Sequence, residues 1–180
     1  MEKSYLITHF DIFYLLRIPD NVSFREAAMC EPFAVVVHAC RRLDIRIGHN
    51  VLVCGAGAMG LMSMLSAKAF GADQVAITDV DPEKLKLAKQ LGADFTYLID
   101  PKNFDPKQLG AKIKTDMHKP PEVSMECTGN GASTNLAIYT TEYGGKVGVI
   151  GLGKIEESVT LVTAAMREID LITVCRFKDE

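Results

Sequence analysis

Six short apolar runs alternate with segments of helical character, and this alternation limits the folds open to the chain. Most of the runs are rich in β-branched residues and apolar at consecutive positions, which is typical of strands covered on both faces. Strands separated by helices form parallel sheets with right-handed crossovers. The pattern therefore predicts an α/β fold with a doubly wound sheet. We expect its strands at residues 50–55, 74–79, 95–100, 123–128, 146–151 and 170–177.

The connecting segments carry helix start and stop signals. Asp81 stands before Pro82, the order of an N-cap and a first-turn proline, and Gly92 ends that segment. A helix that starts at Ala58 is expected to stop at Gly71. Weaker patterns predict helices at residues 106–117, 131–142 and around 162–168.

The first part of the chain follows a different pattern. Ser23 and Glu26 fit a capping box, and Pro32 predicts the start of a second helical stretch, because proline is tolerated in a first turn. We therefore divide the chain into an N-terminal segment at residues 1–18, linker helices at 19–47 and an α/β domain at 48–180.

Composition excludes several function classes. A net charge of −3 supplies no basic field for nucleic acid, and no apolar run approaches the ~20 residues that span a bilayer. The five cysteines are odd in number, widely spaced and set in apolar runs, with no C-x-x-C pair. We expect buried thiols in a cytoplasmic protein, with neither nucleic acid nor membrane as partner.

A glycine-rich turn joins the first strand to the first sheet-packing helix, in the sequence VLVCGAGAMG. Gly55 permits a tight turn, Gly57 leaves room for a pyrophosphate to approach the backbone, and Gly60 lets the helix pack closely. Free N–H groups at the helix start would hold the phosphates. The spacing predicts dinucleotide binding, with a purely structural turn as the alternative.

An acidic residue closes the second strand at the position that the fingerprint requires. Asp79 ends VAITD, about 20 residues beyond the glycines. Its carboxylate can accept the hydroxyls of an adenosine ribose and would repel a 2′-phosphate, so we favour NAD over NADP. Lys84 complicates this choice because its ammonium could attract a phosphate. A methyltransferase also combines a glycine turn with an acidic strand end, but its turn is usually more compact.

Several stretches from about Pro19 to Phe177 resemble one known family. They are IPDNVSFREAAMCEPFAVVVHACRR, VLVCGAGAMG, ITDVDPEKLKLAKQLGAD, ECTG, GGKVGVIGLG and AAMREIDL, in this order. Together they resemble the cofactor-binding half of the sorbitol dehydrogenases, zinc-dependent members of the medium-chain dehydrogenase/reductase family. The alternation of six strands with helices separately predicts a Rossmann sheet of spatial order 3-2-1-4-5-6.

The resemblance also implies roles for individual residues. The cofactor contacts that it implies are Gly55, Gly57, Met59, Gly60, Asp79, Lys84, Ile150, Gly151, Leu152, Val174, Cys175 and Arg176. Arg176 corresponds in addition to a substrate-contacting arginine, and Glu31 to a glutamate near the catalytic zinc and the substrate hydroxyls. Phe177 departs from the family, where a tyrosine hydroxyl usually touches substrate.

The zinc ligands of the family come from an N-terminal barrel-like domain for which this chain has no counterpart. Only 18 residues precede Pro19, and the G-H-E zinc motif is missing; GHN at 48–50 places His49 in a turn, and His38 is expected to be a packed or capping histidine. We therefore expect no metal site here, and a chain that binds NAD but is catalytically incompetent alone.

The favoured function is that of the NAD-binding domain of a sorbitol-type polyol dehydrogenase, which converts polyol and NAD⁺ to ketose and NADH in the complete enzyme. Two alternatives stay open. One is a non-enzymatic nucleotide-binding module that forms a dimer through the edge of the sixth strand, since the family dimerises this way. The other is a related dehydrogenase for threonine or another secondary alcohol.

Overall fold

The computed structural model describes residues 5–8 and 14–176, with side chains from Arg17 onward. Phe177, which the sequence analysis singled out, lies outside the described residues. The elements are β1 (Tyr5–Thr8), β2 (Tyr14–Arg17), α1 (Phe24–Ala27), α2 (Cys30–Arg42), β3 (Val51–Cys54), α3 (Ala58–Ala69), β4 (Val75–Asp79), α4 (Pro82–Gln90), β5 (Phe95–Leu98), α5 (Pro106–Asp116), β6 (Val123–Glu126), α6 (Gly131–Thr140), β7 (Lys146–Val149), α7 (Leu161–Met166) and β8 (Asp170–Thr173).

Strands β3 to β8 form one parallel sheet in the order β5-β4-β3-β6-β7-β8. Counted within the sheet, this is the predicted order 3-2-1-4-5-6, and the α/β doubly wound class is confirmed. The chain leaves β3 toward β4 on one side and returns to β6 on the other, which creates a topological switch point between β3 and β6. β1 and β2 pair separately and antiparallel, a hairpin that the sequence analysis did not predict.

Each face of the sheet is covered by its own helical layer. Val51 and Val53 of β3 belong to a core cluster that includes Cys40 of α2 and Met64 of α3. Leu52 and Cys54, which alternate with them, belong to a second cluster with Ile113 of α5 and Leu136 of α6. Because successive side chains of a strand point to opposite faces of the sheet, an all-apolar strand buries all of its side chains only when a helical layer covers each face.

The predicted capping box at α1 is confirmed, since Ser23 accepts from the N–H of Glu26 while the Glu26 carboxylate accepts from the N–H of Ser23. The predicted start of the next helix at Pro32 is wrong. α2 begins at Cys30, with a bond from the Phe33 N–H to the Met29 carbonyl at 3.0 Å. Pro32 lies in the first turn, where its missing N–H costs no intrahelical bond.

The sixth strand of the sheet is shorter than predicted. β8 ends at Thr173, opposite Val149, so Val174, Cys175 and Arg176 follow the strand instead of belonging to it. The Val174 N–H still reaches the Val149 carbonyl at 2.9 Å, but Arg176 has a φ of +60° and leaves the extended conformation.

The prediction that all five cysteines are buried is only partly right. Cys40 and Cys54 are buried, whereas Cys30 and Cys175 are exposed; all are free thiols. His38 is a packed histidine as expected, buried on α2, and His49 lies in the turn before β3 with its Nδ1 3.4 Å from the Arg46 N–H.

Candidate functional site

The predicted cofactor residues that follow the strands meet at the carboxyl ends of the parallel sheet. The turn after β3 stands beside the switch point, flanked by the end of β4 on one side and the loop after β6 on the other. Ligands of open α/β sheets bind at this place.

The three glycines of the turn have three different environments. Gly55 has a φ of +97°, and a Cβ there would lie 2.7 Å from Cγ2 of Thr128. A Cβ on Gly60 would overlap the carbonyl oxygen of Gly55, so the helix and the turn touch backbone to backbone. A Cβ on Gly57 would meet no protein atom within 4 Å. Protein packing thus explains the first and third glycines, and the second faces open space.

Helix α3 begins at this open position without a side-chain cap. Gly57 is its N-cap. The helices after β4, β5 and β6 are instead capped by Asp81, Asp105 and Asn130, each through a side-chain oxygen. The first N–H groups of a helix need acceptors, and its dipole favours negative charge there. The start of α3 therefore has the donors and the space that a phosphate group requires.

The Asp79 carboxylate connects this turn to the loop after β4. One oxygen accepts the N–H of Ala56, the residue between the first two glycines, at 2.6 Å, and the other accepts the N–H of Asp81 at 2.9 Å. A carboxylate offers about four acceptor positions, so acceptor capacity remains for two further donors. Asp79 is half-buried and reachable from solvent. Sequence spacing identified this residue but not its bond to the glycine turn.

The other residues predicted on the adenosine side lie close by in the chain and differ in exposure. Lys84 is exposed in the first turn of α4. Met59 is half-buried and packs against the cluster beneath α3, so part of its side chain serves the core. Because Lys84 is exposed, a contact between its side chain and a ligand would not disrupt any packing within the protein.

The residues predicted on the nicotinamide side divide into buried and exposed ones. The side chains of Ile150 and Val174 are buried in the core cluster, which leaves their backbone for any ligand contact. Leu152 is 91% exposed, and Cys175 is exposed too. Gly151, between Ile150 and Leu152, is half-buried and packs directly on Gly129.

The two residues predicted to act in catalysis are both at the surface. Glu31 is exposed in the first turn of α2, and the described part of the chain shows no hydrogen bond from it to the glycine turn. Arg176 is exposed in the residues that follow β8. Their catalytic roles therefore stay predictions.

Glu126 is a residue of this site that sequence reasoning missed. It is the last residue of β6, and its side chain is fully buried at the switch point. Burial, followed by the nearby charge of this carboxylate, raises the pKa of the Cys54 thiol well above its usual value. Cys54 is therefore a core thiol without nucleophilic character. An acidic residue at the end of an apolar strand, followed by Cys-Thr-Gly, was the available signal for Glu126.

Among residues 14–176 there is no group of three or more His, Cys, Asp or Glu side chains placed to hold a metal ion. The donor set in this part of the chain therefore does not fit the zinc that the family resemblance implies. Within the same residues, no helix is both long and apolar enough to cross a membrane.

The fold defines a Rossmann-type α/β domain, and comparisons with known proteins place it in a family. The family model described as zinc-binding dehydrogenase matches residues 58–180. The chain belongs to this family. It is 45% identical over 164 residues to sorbitol dehydrogenase from Bos taurus, covering 91% of this chain and 46% of the relative. It is 41% identical over 163 residues to L-idonate 5-dehydrogenase from Vitis vinifera, covering 91% and 44%.

A solved structure gives the same result. L-idonate 5-dehydrogenase from Escherichia coli superposes with a TM-score of 0.77 at 28% identity, covering 92% of this chain and 46% of that chain. The chain thus spans about half the length of the relatives it matches, and it resembles the cofactor-binding half of sorbitol-type dehydrogenases.

Proposed function

We propose that this chain is the NAD-binding half of a sorbitol-type polyol dehydrogenase. The observation that carries the proposal is the open backbone at Gly57, at an uncapped helix start, beside the Asp79 carboxylate. The diphosphate would lie on the N–H groups of the turn, and the adenosine ribose would donate its hydroxyls to Asp79. Lys84 would lie at the outer side of the same ribose.

Asp79 supports NAD over NADP. Its two oxygens already accept backbone N–H groups, which fixes the position of the carboxylate. A 2′-phosphate would have to approach this fixed charge closely, and like charges at short range repel. The nicotinamide ring would lie toward Gly151 and Leu152, with Val174, Cys175 and Arg176 on its other side. When bound, NAD⁺ accepts the hydride in the oxidation of an alcohol to a ketone.

Substrate chemistry is proposed from the relatives, whose names include sorbitol and L-idonate dehydrogenases. We propose a polyol as substrate of the complete enzyme, with Glu31 and Arg176 facing it and the zinc ligands supplied outside this chain. We expect the 180-residue polypeptide alone to bind NAD without oxidising sorbitol. Zinc-dependent sorbitol oxidation by this polypeptide in a steady-state assay would contradict that expectation. A threonine or other secondary-alcohol dehydrogenase is the alternative within the enzyme class.

A dimer through the sheet edge is supported by a separate observation. β8 is the last strand of the sheet, and α7, the helix that directly precedes it in the chain, exposes Leu161, Val162 and Met166 at 61%, 73% and 79%. An open edge strand flanked by apolar side chains favours pairing with a second copy. Sedimentation over a range of concentrations tests this. A stable dimer without sorbitol turnover would favour the alternative of a non-enzymatic nucleotide-binding module. We propose a cytoplasmic location for the protein, which is consistent with its free thiols.

Calorimetry tests the dinucleotide proposal. Titrations of the full chain with NAD⁺ and NADP⁺ are expected to give tighter binding of NAD⁺. Asp79→Ala should weaken NAD⁺ binding by about tenfold, the factor that corresponds to about 1.4 kcal/mol. It should also reduce the difference between the NAD⁺ and NADP⁺ affinities. Equal affinities that do not change with the substitution would contradict the ribose assignment. Lys112→Ala, on the exposed face of α5, is a control expected to leave both affinities unchanged.

A further inference from the structure

Glu126 is a fully buried carboxylate to which the proposed function assigns no contact with a ligand. Its Oε1 accepts the N–H of Thr128 at 2.7 Å and the N–H of Gly129 at 3.1 Å, and its Oε2 accepts the same Gly129 N–H at 3.0 Å. The Thr128 hydroxyl donates to Oε1 as well. A buried charge is tolerated when such donors satisfy it, and these charge-assisted bonds are strong. The carboxylate therefore fixes residues 127–130, the β6–α6 loop.

The backbone of the same residue fixes a second segment. The Glu126 carbonyl accepts the N–H of Ile150 at 2.9 Å and that of Gly151 at 2.8 Å. These donors begin residues 150–153, the post-β7 segment. One residue thus holds the β6–α6 loop through its side chain and the post-β7 segment through its main chain.

The two segments touch without room for a side chain between them. A Cβ on Gly151 would lie 2.7 Å from the Thr128 nitrogen and would overlap the nitrogen of Gly129. A Cβ on Gly153 would overlap the Gly129 carbonyl. Since the segments pack backbone on backbone, a displacement of the β6–α6 loop must displace the post-β7 segment too.

The β6–α6 loop also borders the glycine turn. Glu126 is the register partner of Cys54, the residue before Gly55. The Thr128 methyl group lies where a Cβ of Gly55 would point. The loop therefore stands between the turn proposed to hold the diphosphate and the segment proposed to lie along the nicotinamide.

We infer that Glu126 is a positioning residue that sets the nicotinamide side of the cleft by clamping these two segments together. The inference rests on the proposed function, because the cleft matters only if a dinucleotide occupies it. It makes a selective prediction. Glu126 should affect a ligand that reaches past the diphosphate toward the post-β7 segment, and it should not affect a ligand that ends at the diphosphate.

Glu126→Gln tests this with NADH and ADP as probes on the full chain. The amide keeps the shape of the side chain but turns one acceptor into an NH₂ group that faces N–H donors. We expect NADH affinity to fall by about tenfold, the factor for the loss of one charge-assisted hydrogen bond, while ADP affinity is unchanged. Thr128→Val removes the hydroxyl that donates to Glu126 and that accepts the Asn130 N–H at 3.1 Å. Because the Glu126 carboxylate and its backbone donors stay in place, this variant should shift NADH affinity in the same direction by a smaller factor.

Glu122→Gln is the matched control, because Glu122 directly precedes β6 at the strand's opposite end and accepts the Asn50 N–H at 2.8 Å. It should leave both affinities unchanged. Unchanged NADH binding by Glu126→Gln would overturn the inference, and so would an equal loss of NADH and ADP affinity, which indicates general destabilisation.

Amide hydrogen exchange separates failure of the inference from failure of the proposed function. In Glu126→Gln, the amides of Thr128, Gly129 and Gly151 should exchange faster, while that of Ala56, bound to Asp79, should keep its rate. Unchanged exchange at Thr128 and Gly129 would overturn the clamp even if the wild-type chain bound no dinucleotide. Absence of NADH and ADP binding by the wild type would instead contradict the proposed function and, with it, the cleft role of Glu126.

Discussion

Gly57→Ala separates ligand binding from folding more cleanly than any other substitution in the turn. Its backbone has φ −71° and ψ −175°, which alanine adopts without strain, and an added Cβ would meet no protein atom within 4 Å. The methyl group would stand in the space proposed for the diphosphate. The folded protein should accept the change, and a bound dinucleotide should not.

Two opposing contributions set the effect on stability. Alanine is a poorer N-cap than glycine by about 0.5–1 kcal/mol. The reduced freedom of the unfolded chain stabilises the variant by about 0.4–1 kcal/mol. The free energy of unfolding in urea should therefore change by less than about 0.5 kcal/mol.

The effect on binding is larger. A methyl group at this position would keep the diphosphate from at least one N–H donor, a charge-assisted hydrogen bond of about 1.5–3 kcal/mol. NADH affinity, measured by calorimetry or by nicotinamide fluorescence, should fall roughly 10- to 100-fold.

Gly60→Ala is the contrasting variant. Its Cβ would overlap the carbonyl oxygen of Gly55. We expect a loss of about 1–2 kcal/mol in unfolding free energy, since the steric cost of ~1–3 kcal/mol exceeds the gain in helix propensity. Wild-type NADH affinity in Gly57→Ala would contradict the proposed diphosphate site, because the diphosphate could then not lie over Gly57.

Three further predictions concern the thiols, the acid stability and the core. Iodoacetamide at pH 8 should alkylate the exposed Cys30 and Cys175 first, while Cys40, whose pKa burial raises to about 12, should react only after unfolding, as mass spectrometry of peptides can show. Early labelling of Cys40 would contradict this. Partial burial acts to raise the pKa of Glu122, but hydrogen bonds from Lys119 and Asn50 outweigh it and leave that pKa below its usual value of 4.5. Because the pKa is lowered in the folded protein, the ionised carboxylate stabilises the fold above pH 4.5, and this stabilisation is lost as pH falls. Glu122→Gln should lower the urea midpoint at pH 7 more than at pH 3, and an equal loss at both would count against it. Leu136→Ala should cost about 2–5 kcal/mol in urea unfolding because the side chain is fully buried, and a loss below about 1 kcal/mol would be inconsistent with that burial.

The sheet was predictable from sequence because its signals are local. An apolar run that forms a strand, or a glycine that ends a helix, can be recognised from the neighbouring residues alone. The strand–helix alternation then restricts the topology to a few solutions. Gly71 and Gly92 have φ values of +95° and +105°, the left-handed conformation expected of glycines that end helices. Such signals require no knowledge of contacts distant in sequence.

Helix and strand ends were predicted less well, and each error has a physical reason. Proline is compatible with several positions in a first turn, so Pro32 could not fix the start of α2 at Cys30. Val174 and Cys175 suit a strand by composition, but β7 offers no paired residue beyond Val149, and β8 ends at Thr173. Strand length depends on the neighbouring strand, which a single run does not reveal.

The candidate site was predictable in its residue types but not in its internal connections. Spacing identified the glycines and Asp79, whereas the bond from Ala56 to Asp79 joins residues 23 positions apart. Glu126 was missed because an acid after an apolar strand is commonly solvated, and only the fold shows that it is fully buried. The signal was nevertheless present, since a buried carboxylate must find hydrogen-bond donors and the sequence Cys-Thr-Gly, whose backbone N–H groups can supply them, directly follows Glu126.

The proposed function depends on a dinucleotide diphosphate that lies on the backbone of the turn between Gly55 and Gly60. Amide chemical shifts of the ¹⁵N-labelled chain, followed during titration with NAD⁺, report on this contact residue by residue. We expect the largest shift changes on Ala56, Gly57 and Ala58, with smaller ones next to Asp79. Unchanged shifts in this turn, with the largest changes at another surface, would contradict it.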